Sequence, residues 1–369
     1  MLANRDTVLE IDLGALAHNY MFLRSKLNPG TLLLAVVKAY AYGSDSFALA
    51  QKLEKLGADY LAVAFASEGL QLRKQGIRLP IMVFHPQASG LDIMVQYNLE
   101  PCLYSRNIFN AFLESVKRSD KRNFPVHIKF NTGLNRLGFG PEDISWLKDN
   151  LTHSDLLRPA SVYSHLAASD DPAEREFTQQ QIGAFKAMLI ACAPWLPAGA
   201  LKHLLNTSGV LNYPEAQFDM VRTGIGLHGY ANNPETDQLL RPVASLKTRI
   251  SQIHQVAPGD WVGYNKGFVA DREMSVATLP LGHADGIGRQ FGQGVGKFIV
   301  GRASAPTVGN ICMDMTMIDV TGIHCQEGDE VLFFGATNSA EVQAANAGTI
   351  SYELITGISQ RVARQIVEN

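Results

Sequence analysis

Eight short, almost uninterrupted apolar runs recur through the first two thirds of the chain, and they restrict its fold more than any other feature. They are Thr31–Lys38, Tyr60–Phe65, Pro80–His85, Pro101–Tyr104, Pro125–Asn131, Ala160–His165, Leu201–Asn206 and Asp219–Ile225. Strands that are apolar on both faces belong to parallel sheets covered by helices on each side. Helical spacing fills most of the intervals. Leu13, Leu16, Tyr20, Leu23 and Leu27 precede the first run, Leu49, Leu53 and Leu56 follow it, and Ile108, Phe112 and Val116 follow the fourth. Eight strand–helix units over roughly 250 residues predict a (β/α)8 TIM barrel. An open doubly wound sheet is the alternative that the same alternation allows.

The pattern changes at Asn232-Asn233-Pro234-Glu235 and Arg241-Pro242. From there to about Gly335 short strands alternate with Gly and Pro, which reads as a mostly β domain. Ile350 to Val367 reads as a closing helix. The expected division is therefore a barrel over 1–238 and a C-terminal β domain with a terminal helix over 239–369. The strand-like run Thr7–Ile11 could join either part, so residues 1–11 could pair with the β domain. A chain of 369 residues is long enough for two cores.

Charge narrows the partners. The 32 Lys+Arg against 35 Asp+Glu give a net charge of -3, with no electrostatic footprint for nucleic acid or an anionic membrane. The opening residues lack a basic, then apolar, leader pattern. The longest stretch without Asp, Glu, Lys or Arg, Ala187–Leu201, contains Pro194 and Pro197 and falls short of the ~18 residues of a spanning helix. Cys102, Cys192, Cys312 and Cys325 form no CxxC pair, so neither a disulfide framework nor a metal site is expected. The expectation is a cytoplasmic globular protein.

Several strand ends carry residues able to do chemistry. Lys38 closes the first run, at the mouth where barrel enzymes act. Partly desolvated, its amine would have a lowered pKa and could serve as nucleophile or base; a lysine snorkelling out of a strand end is the plainer reading. In Val126-His-Ile-Lys-Phe-Asn131 the alternation points Lys129 into the barrel, where a buried ammonium must be paired, neutralised or covalently changed. Arg136 follows in a loop and suits a carboxylate. His165 ends the sixth run, and Arg222 precedes Gly224-Ile225 at the eighth. Each alone reads as structural; together they fit a phosphate-bearing cofactor held beside an amine, and pyridoxal phosphate is the obvious candidate.

Along its whole length the chain resembles the alanine racemases, fold-type III pyridoxal-phosphate enzymes. The resemblance rests on Ile11-Asp-Leu-Gly-Ala-Leu-Ala-His-Asn-Tyr20, Ala35-Val-Val-Lys38-Ala-Tyr-Ala-Tyr42-Gly43, Asn131-Thr-Gly-Leu-Asn-Arg136-Leu-Gly, Val221-Arg222-Thr-Gly-Ile225, Gly282-His-Ala-Asp-Gly286 and Ile311-Cys-Met313-Asp314. It implies interconversion of L- and D-alanine by two bases, Lys38, which also carries the cofactor as a Schiff base, and Tyr264 from the partner subunit of a homodimer. It further implies that Arg222 meets the pyridine nitrogen and that His165 packs at the ring. Tyr42, Thr207, Gly224, Ile225 and Tyr352 would hold the phosphate. Arg136 and the Met313 backbone would hold the substrate carboxylate. Lys129 matches a lysine that the family often carbamylates, which would make it N6-carboxylysine. Asp170, His283, Arg289, Asn310 and Asp314 would surround the substrate entrance.

Some positions depart from the family pattern. Tyr40 and Ser44-Asp45 alter the lysine signature, His228 and His283 stand where tyrosine is usual, and Asn310 replaces a common arginine. The entrance changes keep a serine or broad-specificity racemase open as an alternative. A barrel-plus-β decarboxylase would set a carboxylate, not Arg222, at the pyridine nitrogen. A non-catalytic pyridoxal-phosphate barrel would lack the β domain.

Overall fold

The computed structural model describes residues 6–369. Its first strand, β1 (Val8–Asp12), is followed by β2 (Leu32–Val36), β3 (Tyr60–Val63), β4 (Ile81–Val83), β5 (Glu100–Leu103), β6 (Phe124–Lys129), β7 (Leu157–Tyr163), β8 (Leu201–His203) and β9 (Met220–Thr223). Each of the eight apolar runs supplies one of β2 to β9. These eight are parallel and close on themselves, with Leu32 opposite Met220 and Ala35 opposite Thr223 at the seam. Closure decides for the barrel over the open sheet. The runs are continuous rather than alternating because both faces are buried: Leu33, Leu34 and Ala35 are wholly shielded from water. Asp12 ends β1 and caps the helix Leu13–Ser25, accepting from the Gly14 and Ala15 amides. That helix buries Leu16, Tyr20 and Leu23.

Ten strands follow: β10 (Ala244–Arg249), β11 (Gln252–Val256), β12 (Trp261–Val262), β13 (Phe268–Val269), β14 (Met274–Leu279), β15 (Lys297–Val300), β16 (Ala303–Val308), β17 (Thr316–Asp319), β18 (Glu330–Phe334) and β19 (Ala363–Val367). Nine strands form one sheet in the order β11-β14-β17-β16-β15-β18-β10-β1-β19, while β12 and β13 pair separately. The β domain packs around Phe291, Phe298, Phe333 and Phe334, all essentially buried. The strand-like N-terminal run thus joins this sheet: Ile11 lies opposite Ala244 on one side and Ile366 on the other. Residues 1–5 of the expected 1–11 segment lie outside the described residues.

The expected closing helix over Ile350–Val367 is corrected. Only Ser351–Thr356 is helical, and the chain ends on strand β19 instead. Ala363, Arg364 and Gln365 are good helix formers, yet the open edge of β1 offers five residues of parallel pairing, and this distant partner overrides local preference. Among the described residues no helix is long and apolar enough to cross a membrane.

Candidate active site

At the C-terminal ends of the barrel strands lies a cavity of about 660 Å³. Ten of the residues expected at the site line it together: Lys38, Tyr42, Lys129, Arg136, His165, Thr207, Arg222, Gly224, Ile225 and Tyr352. Two placements differ from the strand-end reading. β2 stops at Val36, so Lys38 stands past the strand, and β7 stops at Tyr163, so His165 stands two residues beyond it.

Lys38 heads a turn, Lys38–Gly43, in which Ala39, Tyr40, Ala41 and Tyr42 all adopt φ between 49° and 55°. Left-handed backbone costs L-residues about 1–2 kcal/mol each, so the turn needs outside support. The Glu68 carboxylate accepts from the Ala39 amide at 2.6 Å, and Arg364 Nη2 donates to the Gly43 carbonyl at 2.7 Å. A Cβ at Gly43 would collide with the Ile355 carbonyl. The C-terminal strand therefore holds the lysine turn in place. That support returns function to a segment whose helical pattern had pointed elsewhere.

Across the cavity, Gly224 and Gly226 donate backbone N–H groups to Thr207 Oγ1 at 3.3 Å each. A Cβ on Gly224 would overlap the Tyr42 hydroxyl. Tyr42 and Tyr352 have ring centroids 6.1 Å apart, and Asn232 donates to the Tyr352 hydroxyl at 3.3 Å. Hydroxyls and amides thus converge on one corner, as a phosphate requires.

The electrostatics are cationic. Burial, and then Arg136, lower the Lys38 amine below the usual lysine range. Burial pushes Arg222 down to about 10, still charged at neutral pH. Its Nη2 lies 2.7 Å from the Ser164 carbonyl, 2.8 Å from that of Leu204 and 3.1 Å from His165 Nδ1. His165 is held well below its usual value by burial and by Arg222, so its ring is neutral and accepts. Lys38, Lys129, Arg136 and Arg222 enter none of the ion pairs among the described residues. Four cations around one cavity without an anion fit a phosphorylated, carboxylate-bearing occupant. The donor set therefore suits pyridoxal phosphate.

Burial, with Arg136 and Arg222 close by, lowers the Lys129 ammonium to about 8. An unfolded lysine titrates near about 10.4. Between these values the unfolded chain binds the extra proton, so this residue favours folding increasingly as pH rises from about 8 to about 10. Thermal denaturation of the cofactor-free protein is expected to show that gain, and Lys129→Met to flatten it. A slope untouched by the substitution would assign the gain to other groups.

Tyr264 and Met313 are elsewhere in the single chain. They line a shallower depression of about 560 Å³ on the β domain with Gly263, Cys312, Asp314 and Met315. Tyr264 is 75% exposed and Met313 59%. Asp170, His283, Arg289 and Asp314 are also exposed, and Asn310 is half-buried. Asn310 donates to the Tyr264 carbonyl at 3.2 Å. The segments Gly282–Gly286 and Ile311–Asp314 are laced together, with the His283 amide on the Cys312 carbonyl and the Ala284 amide on that of Met313, both at 2.9 Å. Arg361 ties Asp285 to Asp314, each at 2.6 Å.

Comparison with known proteins covers both parts of the chain. Residues 11–232 match the family model described as alanine racemase, N-terminal domain, and 243–366 that described as alanine racemase, C-terminal domain. The chain belongs to the alanine racemase family. It is 34% identical over 372 residues to an alanine racemase of Desulfovibrio desulfuricans, covering 99% of each chain. It is 35% identical over 377 residues to that of Treponema denticola, again covering 99% of each. Among solved structures, the alanine racemase of Streptomyces lavendulae superposes with a TM-score of 0.94 at 29% identity, covering 100% of this chain and 98% of that one. The Bacillus anthracis alanine racemase with bound L-Ala-P gives 0.90 at 29% identity, covering 100% and 97%.

In this alanine racemase family member the cavity also includes Phe65, Phe84, His85, Tyr163 and Asn206, which the motifs did not single out. Asn206 had a legible signal: it precedes Thr-Ser-Gly and caps the helix Thr207–Asn212 by accepting from the Gly209 amide at 2.8 Å. Tyr163 had none. It stacks on His203 with centroids 4.8 Å apart and planes 7° apart, a contact between neighbouring strands that no local pattern encodes.

Proposed function

We propose that this chain interconverts L- and D-alanine with pyridoxal 5'-phosphate held in the barrel-mouth cavity. The observation that carries the reading is the convergence of Lys38 and three further unpaired cations on that cavity in an alanine racemase fold. Pyridoxal phosphate, when bound, supplies the electron withdrawal that acidifies the α-hydrogen of an amino acid. Lys38, its amine made less basic by burial, would hold the cofactor and carry the α-proton on one face. The Tyr264 phenol serves the other face from the partner subunit of a homodimer, since a single base tends to return the proton to the side it left.

Arg222 would hold the cofactor at its ring nitrogen without releasing its own proton, and neutral His165 would pack beside it. Tyr42, Thr207, Gly224, Ile225 and Tyr352 would hold its phosphate. Arg136 and the Met313 backbone hold the alanine carboxylate, while Asp170, His283, Arg289, Asn310 and Asp314 border the entrance. Lys129 is proposed as N6-carboxylysine: carbamylation would replace a buried cation with an anion able to pair with Arg136, and a lowered amine pKa aids attack on CO2. The division near residue 238 between barrel and β domain belongs to the same proposal.

The test is chiral analysis after incubating purified protein and cofactor with L-alanine and, separately, L-serine. Approach to equal enantiomers from alanine supports the reading; faster conversion of serine would move it to a serine racemase, and no conversion of either would overturn it. For the phosphate corner, Gly224→Ala is expected to weaken cofactor binding by about 10-fold or more, because the added methyl displaces the Tyr42 hydroxyl. Absorbance titration of the cofactor-free protein checks this, and an unchanged Kd would remove Gly224 from the phosphate site.

A further inference from the structure

Beneath the cavity a continuous line of polar side chains crosses the barrel interior, one from each of five adjacent strands. Glu100 opens β5, His127 lies in β6, Ser161 in β7, His203 ends β8 and Arg222 lies in β9. His127, Ser161 and His203 have no exposed surface, and Glu100 and Arg222 are buried. Arg222 Nη1 is 2.8 Å from His203 Nδ1, His203 Nε2 is 2.8 Å from Ser161 Oγ, Ser161 Oγ is 2.7 Å from His127 Nδ1, and His127 Nε2 is 2.9 Å from Glu100 Oε2.

The direction of every bond follows from its cationic end. A guanidinium only donates, so His203 Nδ1 accepts and the His203 proton is on Nε2. That proton goes to Ser161, whose own hydroxyl hydrogen has His127 Nδ1 as its acceptor. His127 is left to donate from Nε2 to Glu100, which can only accept when ionised. Burial, and then the charge of Glu100, push the phenol of Tyr60, at the start of β3, up to about 12. The chain therefore runs one way, from a cation at the mouth to a carboxylate at the floor.

We propose that Glu100, His127 and Ser161 are positioning residues that act through His203 to fix the orientation of Arg222. The proposal rests on the functional reading above, in which Arg222 faces the ring nitrogen of the cofactor. A break at Ser161 leaves His203 Nε2–H without an acceptor in a dry interior, and such a group reorganises rather than stay unpaired. The tautomer with the proton on Nδ1 would set donor against donor at Arg222 and displace the guanidinium.

The test uses the full chain and its Ser161→Ala, Ser161→Thr and Glu100→Gln variants. ¹⁵N imidazole NMR of the cofactor-free wild type is expected to show His203 and His127 each protonated at Nε2 alone. In Ser161→Ala the His203 proton is expected to shift towards Nδ1. In holoenzyme the same variant is expected to lower kcat for alanine about 10-fold, with KM within about 2-fold. Glu100→Gln should lower kcat in the same direction, while Ser161→Thr, which keeps the hydroxyl, restores the wild-type tautomer. A wild-type His203 protonated at Nδ1 or at both nitrogens overturns the proposal, even if no variant folds. So does a Ser161→Ala enzyme with unchanged tautomer or kcat. A wild type unable to racemise alanine would overturn the functional reading instead, and the tautomer measurement would still decide the donor direction.

Discussion

Lys38→Ala is expected to abolish covalent retention of the cofactor and to lower alanine racemisation by at least about 10³-fold. The lysine is the one amine at the cavity that stands on the left-handed turn beside Tyr42 and Gly43, and its environment lowers its pKa through burial and Arg136. Removing a cation from a cluster of four leaves the fold intact, so thermal stability should hold or rise. Lys38→Arg is expected to be no better than alanine, because a guanidinium keeps its proton and cannot act as nucleophile or base. Borohydride reduction followed by mass spectrometry of tryptic peptides locates the attachment. Cofactor trapped on Lys129, or retained in Lys38→Ala, would assign the amine elsewhere.

Tyr264→Phe is expected to lower turnover by about 10²–10⁴-fold while the cofactor spectrum stays unchanged. The two halves of the reaction should respond unequally. Exchange of the α-hydrogen with deuterated solvent should survive from the enantiomer served by Lys38 and collapse from the other. Tyr264 is exposed on the β domain of the single chain and shares no cavity with Lys38, so its participation demands a second copy. Activity should accordingly fall on dilution below the dimer dissociation constant. Turnover unchanged from the wild type in both directions by the phenylalanine variant would remove Tyr264 from the chemistry.

Much of the frame was legible in residue order. The barrel could be read because each of its strands is a self-contained apolar run, and parallel strands buried on both faces leave a local trace that needs no partner to interpret. The Arg222-Thr-Gly-Ile225 segment was legible for a similar reason, and the Asn206 cap, though not read, left a signal of the same kind: turn and cap residues act over a few positions. β19 was not legible. Its residues suit a helix, and only the vacant edge of β1, more than three hundred residues away, makes a strand of them.

The site divides along the same line. Residue order alone settled which groups are available, an amine with Gly43 behind it, a permanent cation at Arg222 and a glycine-flanked run of backbone amides, since side-chain chemistry and short-range backbone geometry belong to the residues themselves. It took the folded barrel to bring Lys38, Lys129, Arg136 and Arg222 to one cavity without an anion, and to line up Glu100, His127, Ser161 and His203 beneath it. These relations join strands far apart in sequence, and the closure of the barrel, which no local pattern contains, sets the distances and excludes the water that would otherwise dilute them.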